Sequence, residues 1–311
     1  MTEDFCKSEK GSGSFFRDLS FAVVLAVAFL WLQLFYSCST LWTHSEYYGY
    51  GWYVPLIATF FFYRRWKDSE FGDRELRSVP SWLFPLLALI LLPLLLPIRA
   101  IGNFDPTWRV PILIQAVAVV LVSHGLLGAV FGWKKSLMMA PVTIYALSSV
   151  PYPFQFENWM IRKMTGLVIY FTVEVFGWMG RPVTAIGERL ESAGTVVEVS
   201  EGCSGIRSFQ SLLNASLFFG ELFWLSVWKR GFLLIGGLFF ATIVNAGRAV
   251  YLATIRFDDG AVAFDEAHDL VGYMAFCIAA ALLLVMAFVL KQVDLKHKAI
   301  VTTVGEEGKP L

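Results

Sequence analysis

The sequence predicts an all-α fold: a polytopic bundle of about eight transmembrane helices plus one interfacial or re-entrant helix. Of the 311 residues, 57% are hydrophobic and 16% are charged, whereas ordinary soluble domains carry about 25% charged residues. The mean hydropathy is +0.61. The apolar residues also fall into separate runs, and several approach the roughly 20 residues that a helix needs to cross the hydrocarbon core.

Nine apolar runs are candidates for these helices. They are Phe21–Ser37, Gly51–Tyr63, Trp82–Ile98, Val110–Leu127, Leu137–Val150, Met164–Met179, Ile206–Trp228, Phe232–Ile255 and Leu270–Leu290. The sixth is the exception, because the segment Trp159–Met179 also carries Arg162, Lys163 and Glu174, which are costly in hydrocarbon. We interpret it as interfacial or re-entrant. If it crosses instead, the orientation of the last three runs inverts.

Basic residues orient the runs, because lysine and arginine concentrate in cytoplasmic loops. They follow the second and the last run, at Arg64, Arg65, Lys67, Arg74, Arg77, Lys291, Lys296 and Lys298, whereas Cys38–Tyr50 contains none. About eight crossings then place both termini in the cytoplasm of a plasma-membrane protein. The predicted divisions are a polar cytoplasmic tail over 1–20, a transmembrane domain over 21–290 and a cytoplasmic tail over 291–311.

Charge and cysteine usage exclude several classes of protein. The formal net charge is zero, so there is no basic excess for nucleic acid, and the partner that composition implies is the lipid bilayer. The four cysteines are irregularly spaced and no C-x-x-C or H-x₃-H occurs, which argues against a disulfide framework or a metal site. We expect no metal or other cofactor.

Cys203 is the first candidate for chemistry, because it precedes an apolar run predicted to be a helix. The positive end of a helix favours a thiolate, which is the reactive form. Gly202 and Gly205 keep bulk away so that a substrate carbonyl can approach, and Ser204 lies between them. Arg207 either faces the site or anchors the helix at the headgroups. The alternative for Cys203 is a small residue packed at a helix end.

Arg248 is the second candidate, since it lies deep in the run Phe232–Ile255. An arginine in such a run indicates a function by default, and its donors suit a tetrahedral oxyanion or a carboxylate. Asn245, three residues earlier on the same helical face, is a plausible partner. A structural ion pair or snorkelling to the headgroups is the alternative.

His268 is the third candidate and lies in an acidic patch just before the last run. An imidazole can protonate a leaving amine and deprotonate an incoming nucleophile. Asp265 or Asp269 can orient the ring, and the sequence does not select between them. The alternative is a solvated loop histidine.

The predicted topology brings these three residues to one side of the membrane. Arg248 lies about 24 Å along its run at 1.5 Å per residue, near the outer face that Cys203 and His268 flank. A thiol, a guanidinium and an imidazole together are the groups that cysteine-dependent acyl transfer needs.

A transporter or channel is an alternative function. A transporter or channel with an anion-binding arginine would carry polar helices in both halves, but here the polar features fall in the C-terminal third. A polysaccharide-assembly scaffold without catalysis is a further alternative.

Three ordered motifs resemble the exosortase/archaeosortase family of integral-membrane cysteine transpeptidases. They are Glu201-Gly-Cys-Ser-Gly-Ile-Arg-Ser, Asn245-Ala-Gly-Arg and His268-Asp-Leu-Val-Gly-Tyr. The resemblance makes 196–290 the catalytic part of the domain. It implies that Cys203 is the nucleophile, Arg248 the transition-state stabiliser and His268 the general acid and base.

The resemblance also implies a class of substrate. Such enzymes recognise exported proteins that end in a short motif of the Pro-Glu-Pro type, a transmembrane helix and a basic tail. They cleave near the motif on the outer side of the membrane and transfer the acyl group to an acceptor, often alongside exopolysaccharide production. Gly202 stands where the family usually has alanine, which suggests a subfamily with its own recognition motif.

Overall fold

The computed structural model is that of a helical membrane protein, and it describes residues 3–68, 97–98, 100–102, 104–105, 107–192, 194–198 and 205–307. The chain divides into two compact units, Met1–Pro153 and Phe154–Leu311. The non-helical segment Pro151–Pro153 ends the first unit, because a proline disfavours helical geometry in the residue before it.

The described part of the first unit is mostly helical. They are α1 (Glu3–His44), a 3₁₀ turn (Gly49–Trp52), α2 (Val54–Asp68), α3 (Arg109–Phe131), α4 (Trp133–Met138) and α5 (Ala140–Leu147). Leu34 and Cys38 of α1 pack in one core cluster with Ala116 and Val119 of α3. The buried side chain of Arg65 donates a hydrogen bond to the carbonyl of Met138 at 2.6 Å, which joins α2 to α4.

The second unit contains four long helices and a small sheet. Its elements are α6 (Phe154–Trp178), β1 (Thr184–Ile186), β2 (Arg189–Ser192), β3 (Thr195–Glu198), α7 (Ile206–Leu222), α8 (Val227–Asp258) and α9 (Gly260–Glu307). Helices α8 and α9 are antiparallel: the Lys229 ammonium donates to the Leu290 carbonyl near one end, and Arg248 meets His268 near the other. Leu212 and Leu283 belong to the core that joins α7, α8 and α9.

A small sheet of three short strands is added to a fold that is otherwise all-α, as predicted. Its strands pair antiparallel in the order β1-β2-β3, and Gly187 and Gly194 take positive φ in the two connecting turns, as tight hairpin turns require. Leu190 and Val197 pack against Ile169 of α6 and Ala253 of α8, among others. The sheet therefore covers the end of α8 that carries Arg248.

The predicted number of spans is not supported. Within the described residues, four helices are long and apolar enough to cross a membrane: Phe21–His44, Arg109–Phe131, Val227–Asp258 and Gly260–Val293. They coincide with four of the predicted runs. The run Trp82–Ile98 lies almost wholly outside the described residues.

Several other predicted runs need correction. Leu137–Val150 is not one helix, because the chain turns at Met139 between α4 and α5, whose 6 and 8 residues are too short to cross alone. Ile206–Trp228 ends early at Leu222, and Trp228 belongs to α8. The re-entrant interpretation of Trp159–Met179 is wrong, since α6 is unbroken over 25 residues and does not turn back. Whether α6 crosses stays a prediction.

Candidate active site

Arg248 and His268 form the centre of the candidate site in the second unit. Arg248 Nη2 donates a hydrogen bond to His268 Nε2 across 3.1 Å. The guanidinium lies over Gly272, one turn beyond His268, where a Cβ atom would be 3.4 Å from Nη2. The antiparallel packing of α8 on α9 thus brings together two residues that are 20 apart in sequence.

This hydrogen bond fixes the protonation of the imidazole. A guanidinium only donates, so Nε2 is the acceptor and carries no proton. The ring proton then lies on Nδ1, which donates to Asp269 Oδ1 at 3.2 Å. Asp265 is exposed and makes no hydrogen bond to His268. The site therefore holds a neutral imidazole between a cation and a carboxylate.

His268 belongs to a helix, so the alternative of a solvated loop histidine is wrong. Helix α9 begins at Gly260, so His268 lies in its third turn, with Phe264 one turn earlier and its ring centroid 5.7 Å from the imidazole. Residues four apart share a helical face, which aligns Phe264, His268 and Gly272 toward α8. The imidazole is thus held by a rigid element, yet its side chain keeps 31% of its surface exposed.

Gly205 positions the start of α7 against α8. It is the residue before the first helical turn, with φ of +79°, and a Cβ there would lie 2.6 Å from the Asn245 side chain. Asn245 is buried, with 4% exposed, one turn before Arg248. Both the backbone angle and the close approach therefore require glycine.

The remaining residues predicted for the site fall into two groups. Arg207 is exposed in the first turn of α7. Gly202, Cys203 and Ser204 lie outside the described residues. The structure thus brings together Arg248, His268 and Asp269, and packs Gly205 on Asn245 next to them.

Gln210 is a residue that sequence reasoning missed. It is fully buried on α7, one turn after Ile206, and neither amide atom has a hydrogen-bond partner in the described part of the chain. An unsatisfied buried amide is costly, and polar residues within apolar helices mark functional positions. The available signal was a glutamine within the predicted run Ile206–Trp228.

The charges of the second unit are separated along α8 and α9. At the Arg248 end acidic residues outnumber the basic ones, which include Arg256 in the last turn of α8; the acidic residues are Asp258, Asp259, Asp265, Glu266 and Asp269. Lys229 and Arg230 begin α8, and Lys291 lies beside them over the Phe223 ring at 5.0 Å. Lys229 precedes Arg248 by 19 residues, about 28 Å of helix.

His124, in the first unit, shows how a structural histidine differs. It lines an apolar cavity of about 250 Å³, and its Nδ1 and Nε2 lie 3.0 Å from the hydroxyls of Ser136 and Thr143. Ser136 already donates to the His124 carbonyl, so Nδ1 donates to Ser136 and Nε2 accepts from Thr143. Both ring nitrogens have neutral partners.

Within the described residues, no group of three His, Cys, Asp or Glu side chains could hold a metal.

Comparison with known protein families identifies the family of this chain. The family model of the transmembrane exosortases matches residues 42–285, more than three quarters of the chain. No curated protein and no solved structure matches. The matched region contains all three motifs together with the Arg248–His268 pair, and the chain belongs to the transmembrane exosortase family.

Proposed function

We propose that the protein is a membrane-embedded cysteine endopeptidase and transpeptidase that cleaves C-terminal sorting signals of exported proteins through a thioacyl intermediate. The observation that carries the proposal is the 3.1 Å contact between Arg248 and His268, with Asp269 on the other ring nitrogen. An acid–base group oriented by a carboxylate, beside a cation, is what acyl transfer uses. Membership of the exosortase family supports the same chemistry.

Chain connectivity supports Cys203 as the nucleophile. Two peptide units join Cys203 to Gly205, and they span no more than about 7 Å. Gly205 packs on Asn245, one turn from Arg248. This short connection supports the proposal that Cys203 acts together with Arg248 and His268.

The reaction proceeds by two transfers. The Cys203 thiol gives its proton to His268 Nε2 as sulfur bonds to the scissile carbonyl carbon, and the C=O electron pair becomes an oxyanion that Arg248 stabilises. Nε2–H then protonates the leaving amine as the C–N bond breaks, which leaves a thioester. An amine or water next gives its proton to Nε2 and attacks, and the thiol departs and regains that proton. Asp269 holds the ring throughout.

Charge separation supports an active site on the outer side of the plasma membrane. Lys229, Arg230 and Lys291 lie at one end of the unit, and basic residues mark the cytoplasmic end. Arg248 is about 28 Å further along α8, close to the 30 Å thickness of the hydrocarbon core. This orientation places the C-terminus in the cytoplasm, and we propose the same side for the N-terminus.

The proposed substrate is an exported protein with a recognition motif, a transmembrane helix and a basic tail. Its helix would dock from the bilayer with the motif at the level of His268 and the tail in the cytoplasm. No cofactor takes part in this scheme. The outer leaflet restricts water, which favours an amine acceptor over hydrolysis.

The test uses an exported reporter that ends in a Pro-Glu-Pro motif, an apolar helix and a basic tail. Membranes with Cys203→Ala or His268→Ala are expected to lose cleavage by at least ~10²-fold while the protein still inserts. Cys277→Ala is the matched control, since Cys277 is a free, exposed cysteine on α9, and it should cleave as wild type does. Wild-type rates in Cys203→Ala would refute the enzyme. A wild-type protein that leaves the reporter intact would refute this signal as its substrate.

A further inference from the structure

We infer that a polar pocket in the first unit, which we call the outer pocket, binds the ammonium group of an ethanolamine phospholipid. The outer pocket has a volume of about 180 Å³ and lies where the last turns of α1 meet the first turns of α3. Its polar lining includes Tyr36, Ser37, Ser39, Asp105 and Gln115. Binding here does not depend on the proposed cleavage reaction.

The outer pocket lies at the depth of the lipid headgroups. Ser39 lies five residues before the end of the candidate span Phe21–His44, and Gln115 lies six residues after the start of the candidate span Arg109–Phe131. Both are within about 9 Å of a helix end, and each span is about 35 Å long, which exceeds the roughly 30 Å hydrocarbon core. The segment Cys38–Tyr50 contains no Lys or Arg, so the pocket belongs to the side predicted to face outward.

The hydroxyl groups of the outer pocket act as acceptors. The Ser37 hydroxyl donates its proton to the Gln33 carbonyl at 3.1 Å. The Ser39 hydroxyl donates to the Tyr36 carbonyl at 2.7 Å. Because a hydroxyl has a single proton and two lone pairs, both oxygens can only accept a further hydrogen bond. A ligand that meets them must therefore bring donors.

The charge of the outer pocket is negative. The Asp105 carboxylate accepts two hydrogen bonds from Thr107, and both end on Oδ1, so Oδ2 takes no part in them. None of the residues that line the pocket is Lys, Arg or His. Gln115 lines the same pocket, is 8% exposed and carries an amide oxygen that can accept. The pocket is therefore suited to a cation that donates hydrogen bonds.

A primary ammonium group fits this lining best among the headgroups of a bilayer. It carries three N–H donors and no acceptor, its charge is opposite to that of Asp105, and an aromatic ring such as that of Tyr36 attracts cations. Choline has no N–H donor, and glycerol headgroups carry no cation. A calcium ion takes six to eight oxygen ligands, several of them carboxylates, whereas the pocket has one carboxylate. Ethanolamine has four heavy atoms, fewer than the benzene that a cavity of about 150 Å³ holds.

The test measures lipid selectivity in the purified full-length protein in detergent. The protein is titrated with dioleoyl phosphatidylethanolamine, phosphatidylcholine or phosphatidylglycerol, and bound lipid is counted by native mass spectrometry. We expect phosphatidylethanolamine to bind about tenfold more tightly than the other two, as one hydrogen bond to a charged group allows. Asp105→Asn should abolish this preference, and Gln115→Leu should reduce it about threefold.

Two control variants separate the outer pocket from general effects of charge and folding. Glu46→Gln removes an exposed carboxylate of the same unit that does not line the pocket, and it should keep the tenfold preference. Thr107→Val removes a hydroxyl that donates to Asp105 but leaves the carboxylate in place, so it should keep the preference too. Loss of the preference in Glu46→Gln would mean that overall charge, and not the pocket, selects the lipid.

Soluble ethanolamine identifies the source of the ammonium group. It lacks acyl chains, so displacing the phospholipid should need at least a ~10²-fold excess of ethanolamine. Displacement at equal concentrations would show that the pocket binds a free amine, which overturns the lipid as its ligand. Equal binding of the three lipids, or a preference that survives in Asp105→Asn, would overturn the ammonium site itself.

Discussion

Two arginines on α8 lie 18 residues apart, about 27 Å, and the structure gives them different partners. Arg230, near the start of the helix, donates to the carboxylate of Glu221 at 2.6 Å and to the carbonyl of Leu225 at 2.7 Å. Arg248, near the other end, donates to the imidazole of His268. An arginine therefore stabilises the turn between α7 and α8 at one end of α8, and a second arginine contacts an acid–base group at the other end.

The difference lies in what the partner can do. The Glu221 carboxylate, which is 1% exposed, matches the charge of Arg230 and fixes the connection between α7 and α8 over Gly220. The His268 imidazole can both accept and donate a proton, which is the role that the proposed reaction gives it. The first pair is expected to govern stability and the second to govern turnover.

Breaking the Glu221–Arg230 pair should give the largest loss of stability. Glu221→Gln removes the charge of a buried carboxylate beside a guanidinium that is 19% exposed, which costs about 3 kcal/mol, the lower end of the range for a buried pair, measured as the free energy of unfolding in detergent. Cleavage per folded molecule should stay at the wild-type level, because the site is about 27 Å away. The matched control is Asp258→Asn, whose pair with Arg181 is 45% exposed on both sides and should cost less than about 1 kcal/mol. Equal losses in the two variants would contradict the structural role of Glu221.

Overpacking at the Arg248 end of α8 should lower the free energy of unfolding somewhat less than Glu221→Gln does. It should also reduce cleavage of the reporter. In Gly205→Ala a side chain enters at a φ of +79° and meets Asn245. The unfavourable backbone angle should lower the free energy of unfolding by about 1–2 kcal/mol, and the overpacking should lower it by about 1–3 kcal/mol. Adding Asn245→Ala should remove the cost of overpacking but not the cost of the backbone angle. Comparing the free energies of unfolding of the single and double variants measures the two costs separately. A double variant no more stable than Gly205→Ala would show that the two residues do not touch.

The sequence predicted those elements whose signal extends over many residues. The apolar run of α8 was long enough to place Arg248 near one end by helical rise alone, and the shorter run of α9 placed His268 at the same end. Their meeting follows from run lengths, which hydropathy reveals. The Arg248–His268 end of the site was therefore open to prediction before any contact was known.

The missed features depend on contacts or on very few residues. The strands β1, β2 and β3 have 3 or 4 residues each, too few to show an alternating pattern. The acidic patch around His268 resembles a loop in composition, but packing on α8 continues α9 through it. The choice of Asp269 over Asp265 is a matter of side-chain geometry, which charge patterns do not contain.

The smallest expected effect is a loss of stability at low pH, and it involves Asp105 and not His268. Asp105, just before α3, accepts hydrogen bonds from the hydroxyl and the backbone N–H of Thr107 at 2.6 and 2.9 Å, and these bonds lower the pKa of its carboxyl. Because the folded pKa lies below the unfolded value of about 3.9, the stabilisation is present above that value and is lost as pH falls through the folded pKa.

Asp105→Asn should therefore have a slightly lower melting temperature than the wild type at pH 6, and this difference should vanish toward pH 3. Thermal unfolding in detergent between pH 6 and pH 3 measures it. The difference stays small because the carboxylate is exposed to solvent. A difference that persists to pH 3 would show that Asp105 acts through shape and not through its charge. Since this stability change falls below about pH 4, cleavage by Asp105→Asn between pH 5 and 8 should match that of the wild type.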